Sequence, residues 1–257
     1  MKHDILSDKY KNTILSLFGY VKLPAISEDA FQSLLDFYNK NIQFDSYFFN
    51  SILSEDIDVR KSHSDFIKQV LKPYIDSQLL PYKHIMSTFF SRNKAENQHI
   101  GPHQDPTTVN FLDYDDFIIW IPLVDTIYSK SGRLGVKPFS HHFSNRLNFS
   151  KFEYYPDYIV SKRQWLIHLN LKKGEPVILF NNLIHSSETN TVFDSRPAVS
   201  MKFTTQNAEI ASFHMLDWEK KIVDVYIQQE DDYYVKYGWD ESKPPLSGTY
   251  YKQIVIS

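Results

Sequence analysis

Residues 101–124 read GPHQDPTTVNFLDYDDFIIWIPLV, and the reading of this stretch decides the fold. Its second half, FIIWIPLV at 117–124, is a short continuous apolar run and reads as a β-strand. Its first half places a histidine, one spacer and an aspartate after a Gly-Pro turn. In an extended segment successive side chains point to opposite faces, so His103 and Asp105 share a face while Gln104 turns away. One imidazole and one carboxylate aimed at a common point are two-thirds of a metal site.

Working outward, further runs read as strands: HIMSTFF at 84–90, RLGVKPF at 133–139, EPVILFN at 175–181 and PAVSMKFTT at 197–205. Turn signals separate them. The chain before residue 81 has a different texture. SEDAFQSLLDFYNK at 27–40 carries an N-cap serine, acidic residues behind it and a helical apolar stripe through Phe31, Leu34, Leu35 and Tyr38. Residues 56–80 read as another helical stretch, interrupted near Pro73. A helical start followed by many short strands predicts a mainly β fold with flanking helices, a double-stranded β-helix (jelly roll, cupin-like). We expect a single domain over 1–257: a mostly helical part at 1–80, the jelly-roll core at 81–210 and a C-terminal extension at 211–257 that wraps the surface. The polar, aromatic stretch 141–172 does not alternate cleanly and reads as an insertion or lid.

Composition narrows the function. The formal net charge is −3, and no block of like charges stands out, so there is no electrostatic case for nucleic acid. The 19 Phe and 17 Tyr against only 7 Gly describe an aromatic core with ordered loops. There is no cysteine, which excludes disulfides, thiolate nucleophiles and zinc–thiolate sites. The start is polar, and the longest apolar run is far too short to span a bilayer, so a cytoplasmic protein without membrane contact is the expectation.

The third metal ligand must come from the remaining histidines. His3 and His63 lie in polar stretches, His84, His99, His168 and His214 carry no distinguishing signal, and His141 and His142 read as turn residues. His185 differs, because it follows the strand EPVILFN and precedes a polar turn, where a side chain can point into a barrel mouth. Arg196 comes 11 residues later and opens a strand. On that strand Arg196, Ala198, Ser200 and Lys202 share one face, and Val199, Met201 and Phe203 share the other. Two histidines and one carboxylate are the ligand set of non-haem Fe(II) oxygenases. The open positions suit a 2-oxo acid and dioxygen, and an arginine suits the far carboxylate of that acid.

With these residues in place, the chain resembles the phytanoyl-CoA dioxygenase family of Fe(II)/2-oxoglutarate-dependent oxygenases over about residues 17–205. LFGYVKLPAISEDAFQSLLDFY resembles the family's opening, PHQDPT its His-X-Asp, IWIPLVDT its Trp-x-Pro-Leu-x-Asp strand, SGRLGVKPFSHHF its segment ending in Ser-His, and GEPVILFNNLIHSS the strand delivering the distal histidine. The resemblance implies that His103, Asp105 and His185 hold Fe(II) and that Arg196 holds the far carboxylate of 2-oxoglutarate. It also implies a second cosubstrate contact at Thr88, where the family often has an amide; for Trp120 a place beside the site is one reading, and a structural core role is the favoured one. Two departures touch the cosubstrate pocket. Pro138-Phe139-Ser140-His141 lacks the family's glycine, which predicts another backbone shape, and Ala198 stands where some relatives have serine.

The reaction implied is oxidation of an unactivated C–H of a small-molecule substrate by dioxygen, with 2-oxoglutarate converted to succinate and carbon dioxide. The carboxylate at Asp105 favours hydroxylation, desaturation or cyclisation over halogenation, since related halogenases replace it with a small residue. Two other readings stay open: a non-redox, metal-dependent jelly-roll enzyme such as an isomerase, and an inactive binding module. The substrate and the oligomeric state are not legible. A small polar metabolite is favoured over an acyl-CoA, because no basic cradle for its phosphates is visible.

Overall fold

The computed structural model describes residues 4–96, 99–144, 147–148, 166–240 and 242–255. The first helix, α1 (Lys9–Phe18), is capped by Asp8, whose side chain accepts from the Tyr10 and Lys11 amides. It ends at Gly19, where φ is 85°, and the chain turns there into β1 (Tyr20–Lys22). Ser27 caps α2 (Glu28–Asn41), which buries Phe31, Leu34 and Tyr38 as the apolar stripe requires. A short strand β2 (Phe48–Asn50) and a single 3₁₀ turn lead into α3 (Ile57–Gln78).

Helix α3 corrects one expectation: it runs unbroken through Pro73. The proline lies on the exposed face, and the buried residues Ile67, Leu71 and Ile75 continue their four-residue spacing across it. Burying three such side chains stabilises by roughly 1.5–3 kcal/mol each. That exceeds the ~3 kcal/mol of a helical proline. Pro73→Ala is therefore expected to raise the unfolding free energy by about 1–3 kcal/mol, read as a higher denaturant midpoint at unchanged slope.

The strands form the two sheets of a jelly roll. The larger sheet takes β1, β2, β3 (Tyr82–Asn93), β5 (Asp116–Pro122), β8 (Val177–Phe180) and β10 (Ser195–Thr205) in the order β1-β8-β5-β10-β3-β2. The smaller takes β4 (Ile100–His103), β6 (Leu134–Val136), β7 (Ile167–Leu169) and β9 (His185–Ser187) in the order β4-β9-β6-β7. All pairings are antiparallel. Alternation on the large sheet separates two jobs. Phe89, Ile119, Ile121, Val199, Met201 and Phe203 join one core cluster with the buried faces of α2 and α3. Thr88, Phe90, Ile118, Trp120, Ser200 and Lys202 face the other way and line a cavity. Every residue of β5 is buried, which is why its sequence is apolar without a break from Phe117 on.

The turn after β6 gives a second correction. Phe139 does not avoid the glycine conformation; it adopts it, with φ 68° and ψ −9°. Its amide donates to Phe18 O at 3.1 Å, its carbonyl accepts from the His142 amide, and its ring packs 5.0 Å from that of Phe18. These contacts offset the ~1–2 kcal/mol that a left-handed non-glycine residue costs.

Residues beyond 209 fold into a third sheet, β11 (Ile210–Asp217), β12 (Ile222–Gln228) and β13 (Thr249–Val255), with a short helix α4 (Tyr233–Tyr237) between the last two strands. The buried guanidinium of Arg60 on α3 donates to Val235 O and Lys236 O at 2.8 and 2.7 Å and so fastens α4 to the body. Of the expected insertion at 141–172, residues 145–146 and 149–165 lie outside the described residues, so the lid reading does too. No helix among the described residues is long and apolar enough to cross a membrane.

Candidate metal centre

His103 ends β4 and His185 begins β9, and the two are register partners across the smaller sheet. Their rings stand 4.3 Å apart, centroid to centroid. Asp105, two residues past His103, returns to the same point: its Oδ1 lies 3.9 Å from His103 Nε2 and 3.7 Å from His185 Nε2. The three ligand atoms all lie within 4.8 Å of one another, and no other such cluster of His, Cys, Asp or Glu occurs among the described residues.

The backbone fixes which nitrogens face inward. His103 Nδ1 sits 2.8 Å from Gly101 O, and His185 Nδ1 sits 2.9 Å from Leu183 O. Only an N–H can face a carbonyl at that range, so in each ring Nδ1 carries the proton and Nε2 presents its lone pair. This is the carbonyl-oriented arrangement of metal-ligating histidines. Cis ligands of a six-coordinate ion at ~2.1 Å would be about 3 Å apart, roughly 1 Å closer than here.

Protonation states suit a cation. Burial works against the Asp105 carboxylate, but its electrostatic attraction to His185, Lys202 and His103 outweighs that and holds the group below its usual range, with Lys202 the partner that keeps its charge once the imidazoles are neutral. Burial, with His103 next to it, pushes His185 down to about 4, so its imidazole is neutral at physiological pH. A carboxylate and a neutral imidazole are the forms that bind metal.

The turn that carries Asp105 is held from below. Asn181 donates its side-chain amide to Asp105 O at 2.8 Å and to Pro106 O at 3.0 Å, and its own carbonyl accepts from the Asp105 amide. Lys202 Nζ adds a bond of 2.6 Å to Pro106 O.

Arg196 lies on β10, in the facing sheet. It is wholly buried, with its guanidinium carbon 5.1 Å from the Phe90 ring and 5.4 Å from the Trp120 ring. Nη2 donates to Ser187 Oγ at 3.2 Å, while Nε and Nη1 have no hydrogen-bond partner. Burial, together with the charge of Arg92 on the neighbouring strand, pushes Arg196 down to about 9. A buried cation without a counter-charge, keeping two donors in reserve, is matched by a carboxylate. Gly132 lets it sit there: a Cβ on that glycine, whose φ is 77°, would lie 2.5 Å from Arg196 Cδ.

Between the sheets is a cavity of about 410 Å³, within the range of small-molecule sites. The three ligand side chains line it, as do Ser187, Phe90 and Trp120, which surround Arg196. Thr88 lines it as well, but its hydroxyl is already engaged by Asn50 Oδ1, Ser51 Oγ at 2.9 Å and the Ile52 amide at 3.2 Å. Trp120 is both a core residue and a wall of the site.

Among the wall residues that escape the reading of the sequence, three are polar or aromatic groups from distant elements. Asn50 comes from β2, Lys202 from β10 and Trp239 from the chain after α4. Lys202 had a signal, since it alternates in step with Arg196 and Ser200. Trp239 had none, because nothing local says that the C-terminal segment returns to the cavity. The other histidines have separate duties. His141 and His142 form a 3₁₀ turn whose imidazoles reach Ser16 O and Leu17 O at the end of α1. His63 packs edge-on against Phe37 and Phe89.

No family model matches the chain, and no curated protein matches its sequence. Solved structures do match its fold. One is the non-heme alpha ketoglutarate dependent carbocyclase SnoK from nogalamycin biosynthesis, at 16% identity and a TM-score of 0.57, covering 79% of this chain and 86% of that one. Another is HygX from Streptomyces hygroscopicus with nickel, 2-oxoglutarate and hygromycin B bound, at 10% identity and a TM-score of 0.55, covering 78% and 88%. A third is the epimerase SnoN in complex with Fe3+, alpha ketoglutarate and nogalamycin RO, at 14% identity and a TM-score of 0.54, covering 79% and 85%. At these identities the likeness is one of fold.

Proposed function

We propose that this chain is an Fe(II)- and 2-oxoglutarate-dependent oxygenase of the phytanoyl-CoA dioxygenase type, acting on an unactivated C–H of a small metabolite. One observation carries the reading: the two inward-facing Nε2 atoms and the Asp105 carboxylate converge, and the buried, partly unpartnered Arg196 stands on the opposite sheet. A site that only held a metal would have no use for that arginine. The folds it resembles include proteins described with Fe3+ or nickel and 2-oxoglutarate bound.

His103, Asp105 and His185 would hold Fe(II) on one face, leaving positions open towards the cavity. The bound metal, cosubstrate and dioxygen together supply an oxidant able to abstract hydrogen from an unactivated carbon, with 2-oxoglutarate leaving as succinate and carbon dioxide. The chain's own work is positional. Gly101 O and Leu183 O orient the imidazoles, and Arg196 would take the far carboxylate through Nε and Nη1. Thr88 would contribute by holding Asn50 at the cavity wall, its own hydroxyl being committed. Ile118, Leu134, Met86 and Trp239 would exclude water and present the substrate.

Hydroxylation is the outcome we favour; a carbocyclase and an epimerase among the similar folds mark the other courses open to the same machinery. The test is succinate formation from 2-oxoglutarate under air, with and without added Fe(II), against a panel of small metabolites. Fe(II)-dependent succinate supports the reading, and turnover that ignores Fe(II) or 2-oxoglutarate overturns it. Product mass then separates the outcomes: hydroxylation adds one oxygen, cyclisation or desaturation removes two hydrogens, and epimerisation leaves the mass unchanged.

A further inference from the structure

One more charged side chain lines the cavity. Lys202 is only 3% exposed, an unusual place for a lysine without a dedicated partner. Its Nζ donates to Pro106 O at 2.6 Å and stands 3.7 Å from Asp116 Oδ2. Its Nζ stands over the Trp239 ring, 5.3 Å from the centroid. Asp116 is equally buried, and the same Oδ2 accepts from the Thr108 amide at 3.0 Å and the Thr108 hydroxyl at 2.6 Å.

We propose that Lys202 is a positioning residue for the metal ligand Asp105, acting as one jaw of a Lys202–Asp116 clamp on residues 105–108. Lys202 grips the carbonyl of Pro106, and Asp116 grips Thr108 two residues on. The need for such a clamp follows from the local sequence. Pro106 has no amide hydrogen, and β4 ends at His103, so the segment bearing Asp105 lies beyond the regular ladder. Asn181, just past β8, and Lys202, on β10, both hold this segment from the larger sheet. Both jaws stand on the larger sheet, so the clamp ties the segment that carries Asp105 to the sheet that holds Arg196. The buried pair is costly to assemble, and leaving either member alone costs more. The inference rests on the metal-centre reading proposed above.

Charge and position predict opposite signs, and this makes the test decisive. An ammonium near a dication repels it, so if Lys202 acted only through its charge, Lys202→Met would tighten metal binding. If it positions Asp105, the same variant weakens binding, because removing an outer-shell support typically costs 10–100-fold in affinity. The experiment titrates the purified protein with Co(II) alone and follows its visible absorption, alongside thermal melting of the metal-free protein. We expect Lys202→Met to bind Co(II) about 10–100-fold more weakly, with an altered absorption envelope, while still melting cooperatively. Lys202→Gln keeps a polar tip but is one bond too short to reach Pro106, so it should shift in the same direction and stands in if the methionine variant does not fold. Affinity unchanged or tighter in the folded variants overturns the proposal. Failure of the unmutated protein to bind Co(II) overturns the metal-centre reading instead.

Discussion

His185→Ala is expected to weaken divalent-metal binding by more than about a hundredfold, beyond the ~10–100-fold seen for losing an outer-shell group. It should also abolish 2-oxoglutarate turnover. The argument is geometric. Among the described residues only three such side chains converge here, and a cation left with one imidazole and one carboxylate keeps no facial set. Asp105→Asn is the companion variant. It preserves shape but removes the only negative charge among the three ligands, so it should also lose most of the affinity. Isothermal titration with Co(II) or Ni(II) measures both. The histidine variant frees Leu183 O from its donor, which costs about 1–3 kcal/mol of stability. A melting curve for each metal-free variant therefore accompanies the titration. Binding that survives at near-native affinity in folded His185→Ala would remove the basis for any iron chemistry in this cavity.

What the sequence revealed of this centre was its local part. His103 and Asp105 share a face because extended backbone alternates, a rule of the single strand. Helix α2 was legible for a similar reason: Ser27, the acidic first turn and the stripe through Phe31, Leu34 and Tyr38 all lie within one element. Pro73 misled because propensity is local, whereas the gain that overrides it comes from burying Ile67, Leu71 and Ile75 under the large sheet. Phe139 misled in the same way, since the contacts that hold it left-handed come from α1, more than a hundred residues earlier. Lys202, Asp116 and Asn181 form a network across three strands, and no window of sequence brings them together. Trp239 reaches the cavity from the end of α4, which Arg60 ties to α3. The ligands were thus readable as residue types in a pattern, while the groups that hold them in place depend on long-range pairing.

Arg196→Met should separate cosubstrate binding from metal binding. If the guanidinium receives the far carboxylate of 2-oxoglutarate through two charge-assisted bonds, their loss removes about 1.5–3 kcal/mol each. At 1.4 kcal/mol per decade, KM for 2-oxoglutarate should rise by roughly a hundredfold or more. The affinity for Co(II) should stay within a few-fold, because Arg196 touches none of the three metal ligands. Stability adds a sign that an ordinary core arginine would not give. The guanidinium is buried beside a second arginine, and neither Nε nor Nη1 has a hydrogen-bond partner. Replacing an uncompensated buried charge with a methionine of similar length is neutral or stabilising. The metal-free variant should therefore melt at or above the temperature of the unmutated protein. The increase in melting temperature that 2-oxoglutarate produces in the Co(II)-loaded protein should vanish. Were Arg196 there only to hold the two sheets together, the order would reverse: the variant would melt lower, and 2-oxoglutarate would still protect it.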